Sequence, residues 1–64
     1  MIINGTEKDF PEGITVAKLL EELSLDPNKV VVEVDQQIVP KDEYRQKKLS
    51  STAAVELISF VGGG

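Results

Sequence analysis

Ile14-Thr15-Val16-Ala17-Lys18-Leu19-Leu20-Glu21-Glu22-Leu23 is the stretch on which the fold of this 64-residue chain turns. Val16, Leu19, Leu20 and Leu23 recur at i, i+3, i+4 and i+7, which places them on one face of a helix. Thr15 suits the N-cap, and Ile14 and Leu19 stand at N′ and N4, the two positions of a hydrophobic staple. Asp26-Pro27-Asn28 is the expected stop. The segments on either side read as strands. A single amphipathic helix among strands predicts an α+β domain, with the helix packed across one face of a mixed sheet.

Upstream, Met1 to Asn4 is a short apolar run that ends in Asn4-Gly5, a strong two-residue hairpin signal. The return strand is expected at Lys8 to Phe10, closed by Pro11-Glu12-Gly13. Downstream, Val30-Val31-Val32-Glu33-Val34 is β-branched and reads as a strand. Asp35-Gln36-Gln37 turns the chain, and Ile38-Val39 starts a short strand that Pro40 ends. Lys41 to Tyr44 is expected to form one helical turn with Tyr44 anchored on the core. The last strand is expected from Val55 to Val61. Side chains alternate across a strand, and an unpartnered Glu56 belongs outside. Val55 and Leu57 therefore fall in the core, and Ile58 and Phe60 on the outer face.

Sixty-four residues make one small domain, which buries only about 60% of its unfolded surface. There is no Cys and no His, so neither a disulfide framework nor a metal site is expected, and the fold must stand on one apolar core. A net charge of −4 argues against sequence-independent binding to nucleic acid, which needs a basic surface. The basic cluster Lys41, Arg45, Lys47 and Lys48 reads as a solvated face. Met1-Ile2-Ile3-Asn4 lacks the basic and long apolar regions of a signal peptide. No apolar run approaches the roughly 20 residues that span a bilayer, so no membrane association and a cytoplasmic location are expected.

Catalysis by this chain itself is not expected. Thiol and imidazole are missing, and the carboxylate pairs Glu21-Glu22 and Asp42-Glu43 diverge as neighbours on a helix. What remains is the C-terminal run Val61-Gly62-Gly63-Gly64. A terminal glycine offers a carboxylate with no side chain around it, and preceding glycines can thread a channel that would exclude any Cβ. The expected organisation is a folded domain over 1–61 and a Gly-Gly-Gly tail over 62–64. Without cysteine, any sulfur carried by the chain must be attached elsewhere than on a thiol, and that carboxylate is the obvious place. A carboxylate resists nucleophiles until it is converted to an acyl-adenylate. Three extended residues span about 10 Å, so an activating site must lie within roughly that distance of the docked strand end.

Three stretches carry a resemblance that covers essentially the whole chain. They are the first strand ending in Asn4-Gly5, the run Asp35-Gln36-Gln37-Ile38-Val39-Pro40-Lys41 with Tyr44 after it, and Val55 to Gly64. In these the chain resembles the ThiS sulfur carriers of thiamine biosynthesis, which are ubiquitin-like β-grasp proteins. The resemblance implies adenylation of Gly64 by a ThiF-type adenylyltransferase that uses ATP and Mg, the chain itself binding no cofactor. It implies sulfur delivered from cysteine through a desulfurase, a thiocarboxylate on Gly64, and donation of that sulfur to a ThiG-type thiazole synthase. It further implies docking of these partners on Ile58, Phe60 and Val61, with Gly62 and Gly63 threading the tail and the free carrier monomeric. The alternatives are the small subunit of molybdopterin synthase, which also ends in Gly-Gly, and a ubiquitin-like protein modifier. One departure stands out. Such carriers usually place Asp or Gly in the turn before the last strand, whereas this chain has Ser50-Ser51-Thr52-Ala53-Ala54. There only the weaker hydroxyl turns remain.

Overall fold

The structure, a computed structural model, describes residues 1–60. In chain order it contains β1 (Ile2–Ile3), β2 (Thr6–Glu7), α1 (Val16–Glu22), β3 (Val30–Val34), β4 (Gln37–Ile38) and β5 (Ala54–Ser59), with 3-10 turns at Pro27–Lys29 and Lys41–Glu43. The strands form one sheet in the order β2-β1-β5-β3-β4. β1 and β5 run parallel and every other pairing is antiparallel. This is the expected α+β architecture, with α1 over one face of a mixed sheet.

Both hairpins turn on residues with left-handed backbone. Asn4 (φ 51°) and Gly5 (φ 82°) join β1 to β2, and Asp35 (φ 50°) with Gln36 (φ 70°) joins β3 to β4. Two successive positive φ values give the twist that antiparallel strands need across a two-residue loop. Such a loop leaves no spare residue, so pairing resumes at once, Ile3 opposite Thr6 and Val34 opposite Gln37. The return strand is therefore Thr6–Glu7 and not Lys8 to Phe10. The last rung at this edge is the Lys8 amide donating to the Met1 carbonyl at 2.8 Å, and Phe10 turns back against the core. Likewise β4 starts at Gln37, one residue earlier than expected. Val39 still donates to Val32 at 2.9 Å and is buried.

Thr15 caps α1 as expected, its hydroxyl accepting from the Lys18 amide at 3.1 Å. The free amides of Val16 and Ala17 at the helix start are met by the carbonyls of Lys47 and Tyr44, both at 2.9 Å. That stitches the 44–49 segment to the helix. The helix stops before Asp26-Pro27, because Ser24 adopts φ 59°. Ser24 and Leu25 then donate back to Glu21 and Leu20, the paired bonds of a Schellman cap. Asp26 instead caps the following 3-10 turn. A left-handed residue with a Cβ is strained by about 1–2 kcal/mol. Ser24→Gly should relieve part of this, offset by the greater freedom of glycine in the unfolded chain, for a net gain of about 0.5–1 kcal/mol. A rise in Tm of a few degrees is expected, and an unchanged or lower Tm contradicts the strain.

The core lies between α1 and the inner sheet face, where Val16, Leu19 and Leu20 meet Ile3, Val32, Val55 and Leu57. Tyr44 and Leu49 close it from the long connection. The Tyr44 hydroxyl donates to the Val30 carbonyl at 3.2 Å, so its one polar atom is satisfied inside.

The Ser50–Ala54 connection needs no left-handed residue, since none of its φ values is positive. The Ala53 amide donates to the Ser50 carbonyl at 3.0 Å, and the Ser50 hydroxyl accepts from the Thr52 amide at 3.1 Å. The Ser51 amide is taken by the Glu12 carboxylate at 2.8 Å, from 39 residues away in sequence. That amide bond holds the Glu12 carboxyl below the usual carboxylate range. The tie is therefore present while the carboxylate is ionised and is lost as pH falls through that lowered value.

Candidate functional site

β5 carries the chain toward Val61-Gly62-Gly63-Gly64, and its place in the sheet governs what that end can do. It is the central strand, with β1 on one side and β3 on the other. Toward β3 the pairing runs the full length of the strand, from Val34 opposite Val55 to Val30 opposite Ser59. One further bond, the Phe60 amide donating to the Lys29 carbonyl at 3.2 Å, extends it to the last described residue.

Toward β1 the geometry is different, because β1 turns away at Asn4-Gly5. The Asn4 amide donates to Val55 at 2.9 Å, and the Asn4 carboxamide then replaces the missing strand. Its Oδ1 accepts from the Leu57 amide at 2.7 Å, and its Nδ2 donates to the Leu57 carbonyl at 3.3 Å. One side chain thus satisfies both backbone groups of a residue that would otherwise face a gap in the ladder. Sequence reasoning read Asn4 only as a turn residue. Its second use was not visible, because it depends on β1 lying beside β5, more than 50 residues away. The strand that precedes Val61 is consequently held on both sides up to Leu57, and up to Phe60 on one.

The side chains follow the expected alternation. Val55 and Leu57 are buried, and Glu56, Ile58 and Phe60 face outward. Ile58 is 46% and Phe60 58% exposed, large values for apolar side chains at the end of a central strand. Val31 is opposite Ile58, so the outer face continues apolar onto β3. The expected strand end is corrected to Ser59. Val61, Gly62, Gly63 and Gly64 lie outside the described residues.

The other candidates are dispersed. Glu21 and Glu22 both reach Lys18 on the exposed face of α1, at 2.9 and 3.4 Å, and these contacts raise the Lys18 pKa, Glu21 first. Asp42 and Glu43 sit on an exposed 3-10 turn. Among the described residues no group of three His, Cys, Asp or Glu is placed to hold a metal ion, and no helix is long and apolar enough to cross a membrane. The arrangement holds β5 in the sheet up to Phe60, with an apolar surface beside its last residues.

The chain is similar to known proteins over nearly its whole length. A model of the ThiS family matches residues 1–64. The sulfur carrier protein ThiS of Bacillus subtilis is 34% identical over 63 residues, which are 97% of this chain and 96% of that protein. A thiazole synthase of Paramagnetospirillum magneticum is 42% identical over 64 residues. The match takes in all of this chain, which spans only 20% of that relative's length. Among solved structures, the ThiS thiamine biosynthesis protein of Geobacter metallireducens superposes with a TM-score of 0.80 at 27% identity, over 98% of this chain and 96% of that one.

Proposed function

Because the chain belongs to the ThiS family and has its ubiquitin-like β-grasp fold, we propose that it is a sulfur carrier of thiamine biosynthesis whose working group is the Gly64 carboxylate. The observation that carries this reading is a central strand anchored on both sides and running directly toward Val61-Gly62-Gly63-Gly64, with no cysteine anywhere to hold sulfur instead.

The chemistry follows from the carboxylate. A ThiF-type adenylyltransferase uses ATP and Mg to convert Gly64 to an acyl-adenylate, with pyrophosphate leaving. The persulfide sulfur supplied from a cysteine desulfurase attacks that carbonyl, and AMP departs with the C–O bonding pair. A thiol then cleaves the S–S bond of the acyl persulfide and is itself oxidised to a disulfide. The product is a thiocarboxylate, the form in which sulfur is handed to thiazole synthase. The chain contributes position. Gly62 and Gly63 carry no Cβ and thread the tail, while Ile58, Phe60 and Val61 hold the domain against its partner. Thiazole synthase as the partner is supported by the Paramagnetospirillum relative, in which a segment like this chain forms part of a longer protein of that name.

Ile58→Glu is expected to weaken binding to the activating enzyme or to thiazole synthase by about tenfold or more, the scale of a docking hot spot. Because Ile58 faces outward, the thermal melt should stay close to that of the parent. Normal affinity for both partners contradicts the docking assignment, and an unfolded variant contradicts the outward orientation. The function itself is tested by complementation. The chain should restore growth without thiamine to a bacterium that lacks its own ThiS. Failure there, with rescue of a strain lacking the molybdopterin synthase small subunit, would transfer the same carboxylate chemistry to the other pathway.

A further inference from the structure

The outer face of the sheet holds a second feature besides its apolar surface. Glu33 on β3 stands directly opposite Glu56 on β5. Like charges opposite one another across a ladder weaken a sheet. Neither carboxylate takes part in a salt bridge among the described residues. No Lys or Arg stands on a strand of the sheet beside them. Several apolar residues border the pair, with Asn4 beside Glu56 on the β1 side. Val31 and Ile58 form the next pair on the same face, Ile38 is opposite Glu33, and Ile2 lies beside Ala54, two residues along β5 from Glu56. Ile2, Ile38 and Ile58 are all exposed. The free domain therefore keeps two adjacent negative charges bordered by three exposed isoleucines, an arrangement that weakens it.

A partner reverses that sign if it brings a cation to the pair and excludes water with apolar groups around it. Resting on the carrier reading above, we infer that this face receives an apolar surface of thiazole synthase bearing an arginine, whose guanidinium seats between Glu33 and Glu56. Arginine fits better than lysine. Its planar fork has five donors and can serve two carboxylates at once, and it is less strongly hydrated than an ammonium, so it enters an apolar surround more readily. The location suits the task. Ile58 is on the same strand as Glu56 and two residues from Phe60, so a partner docked here fixes the direction in which the tail leaves.

The double variant E33Q/E56Q separates this role from a structural one. Its Tm should equal or exceed that of the parent, because a repulsion has been removed. Binding to purified thiazole synthase of the same organism, measured by calorimetry at low and high salt, should be at least about tenfold weaker at low salt and should lose most of the parent's salt dependence. E33K/E56K should not bind measurably. Parental affinity with parental salt dependence in E33Q/E56Q overturns the inference. So does a lowered Tm, since the pair would then be supporting the free fold. If E33Q/E56Q binds normally while Ile58→Glu does not, the arginine seat fails and the carrier reading stands. If the unaltered chain does not bind thiazole synthase, both fail.

Discussion

Removing Gly64, or adding one residue after it, is expected to abolish thiocarboxylate formation while leaving the fold intact. An extended residue spans about 3.3–3.6 Å, so either change moves the terminal carboxylate by that much relative to a docked domain. Misplacement of a reacting group by about 1 Å can already lower a rate about a hundredfold. The displaced carboxylate has no second route to the activating site, because β5 cannot slide to compensate. It is registered on β3 at five positions and pinned on the β1 side by Asn4. Extension also replaces the Gly64 carboxylate by an amide, which cannot be adenylated. The check is trapping with a thiol alkylating reagent after incubation with the activating enzyme, ATP and sulfide. Both variants should give no trapped product and a thermal melt like that of the parent. Retained trapping at the parental level would remove the C-terminal mechanism.

Asn4→Ala is expected to destabilise the domain by about 2–4 kcal/mol. The left-handed backbone at Asn4 penalises an alanine by about 1–2 kcal/mol, of which Asn tolerates more than most residues. The lost carboxamide leaves the Leu57 amide and carbonyl without a partner, and each hydrogen bond is worth about 0.5–1.5 kcal/mol net. A 64-residue domain has a total stability of only about 3–10 kcal/mol, so the variant should be partly unfolded near physiological temperature. Asn4→Gly divides the effect, since it accepts the backbone conformation but lacks the carboxamide. It should recover the first share and not the second. Urea melts of the three proteins measure both parts. If Asn4→Gly matches the parent, the carboxamide carries no weight and the strand end needs another anchor.

How much of this was legible beforehand follows the range of the interactions. The helix and its cap were readable, because Thr15, Val16, Leu19 and Leu20 lie within a few residues of one another. The outward placement of Ile58 and Phe60 was also readable, since a single unpartnered Glu56 decides the parity of the strand. Boundaries set by turn geometry differ from the expected ones. The two-residue loop at Asn4-Gly5 brings the return strand to Thr6, and Ser24 ends α1 in a conformation its type gives little reason to expect. Contacts between distant segments were invisible. The Glu12 bond to Ser51, the Asn4 bonds to Leu57 and the opposition of Glu33 to Glu56 all require knowing which strands and loops are neighbours. The parallel pairing of β1 with β5 sets one of these, and the antiparallel register of β3 on β5 sets another.

The most direct test of the account is the intact mass of the chain after incubation with a ThiF-type enzyme, Mg-ATP and a sulfide source, measured before and after thiol alkylation. Exchange of one oxygen for sulfur nearly matches oxidation of Met1, and alkylation together with fragment mapping tells them apart. The predicted result is a gain that is alkylatable and maps to Gly64. A chain that forms the adenylate and never takes up sulfur, or that takes up nothing at all, would contradict it.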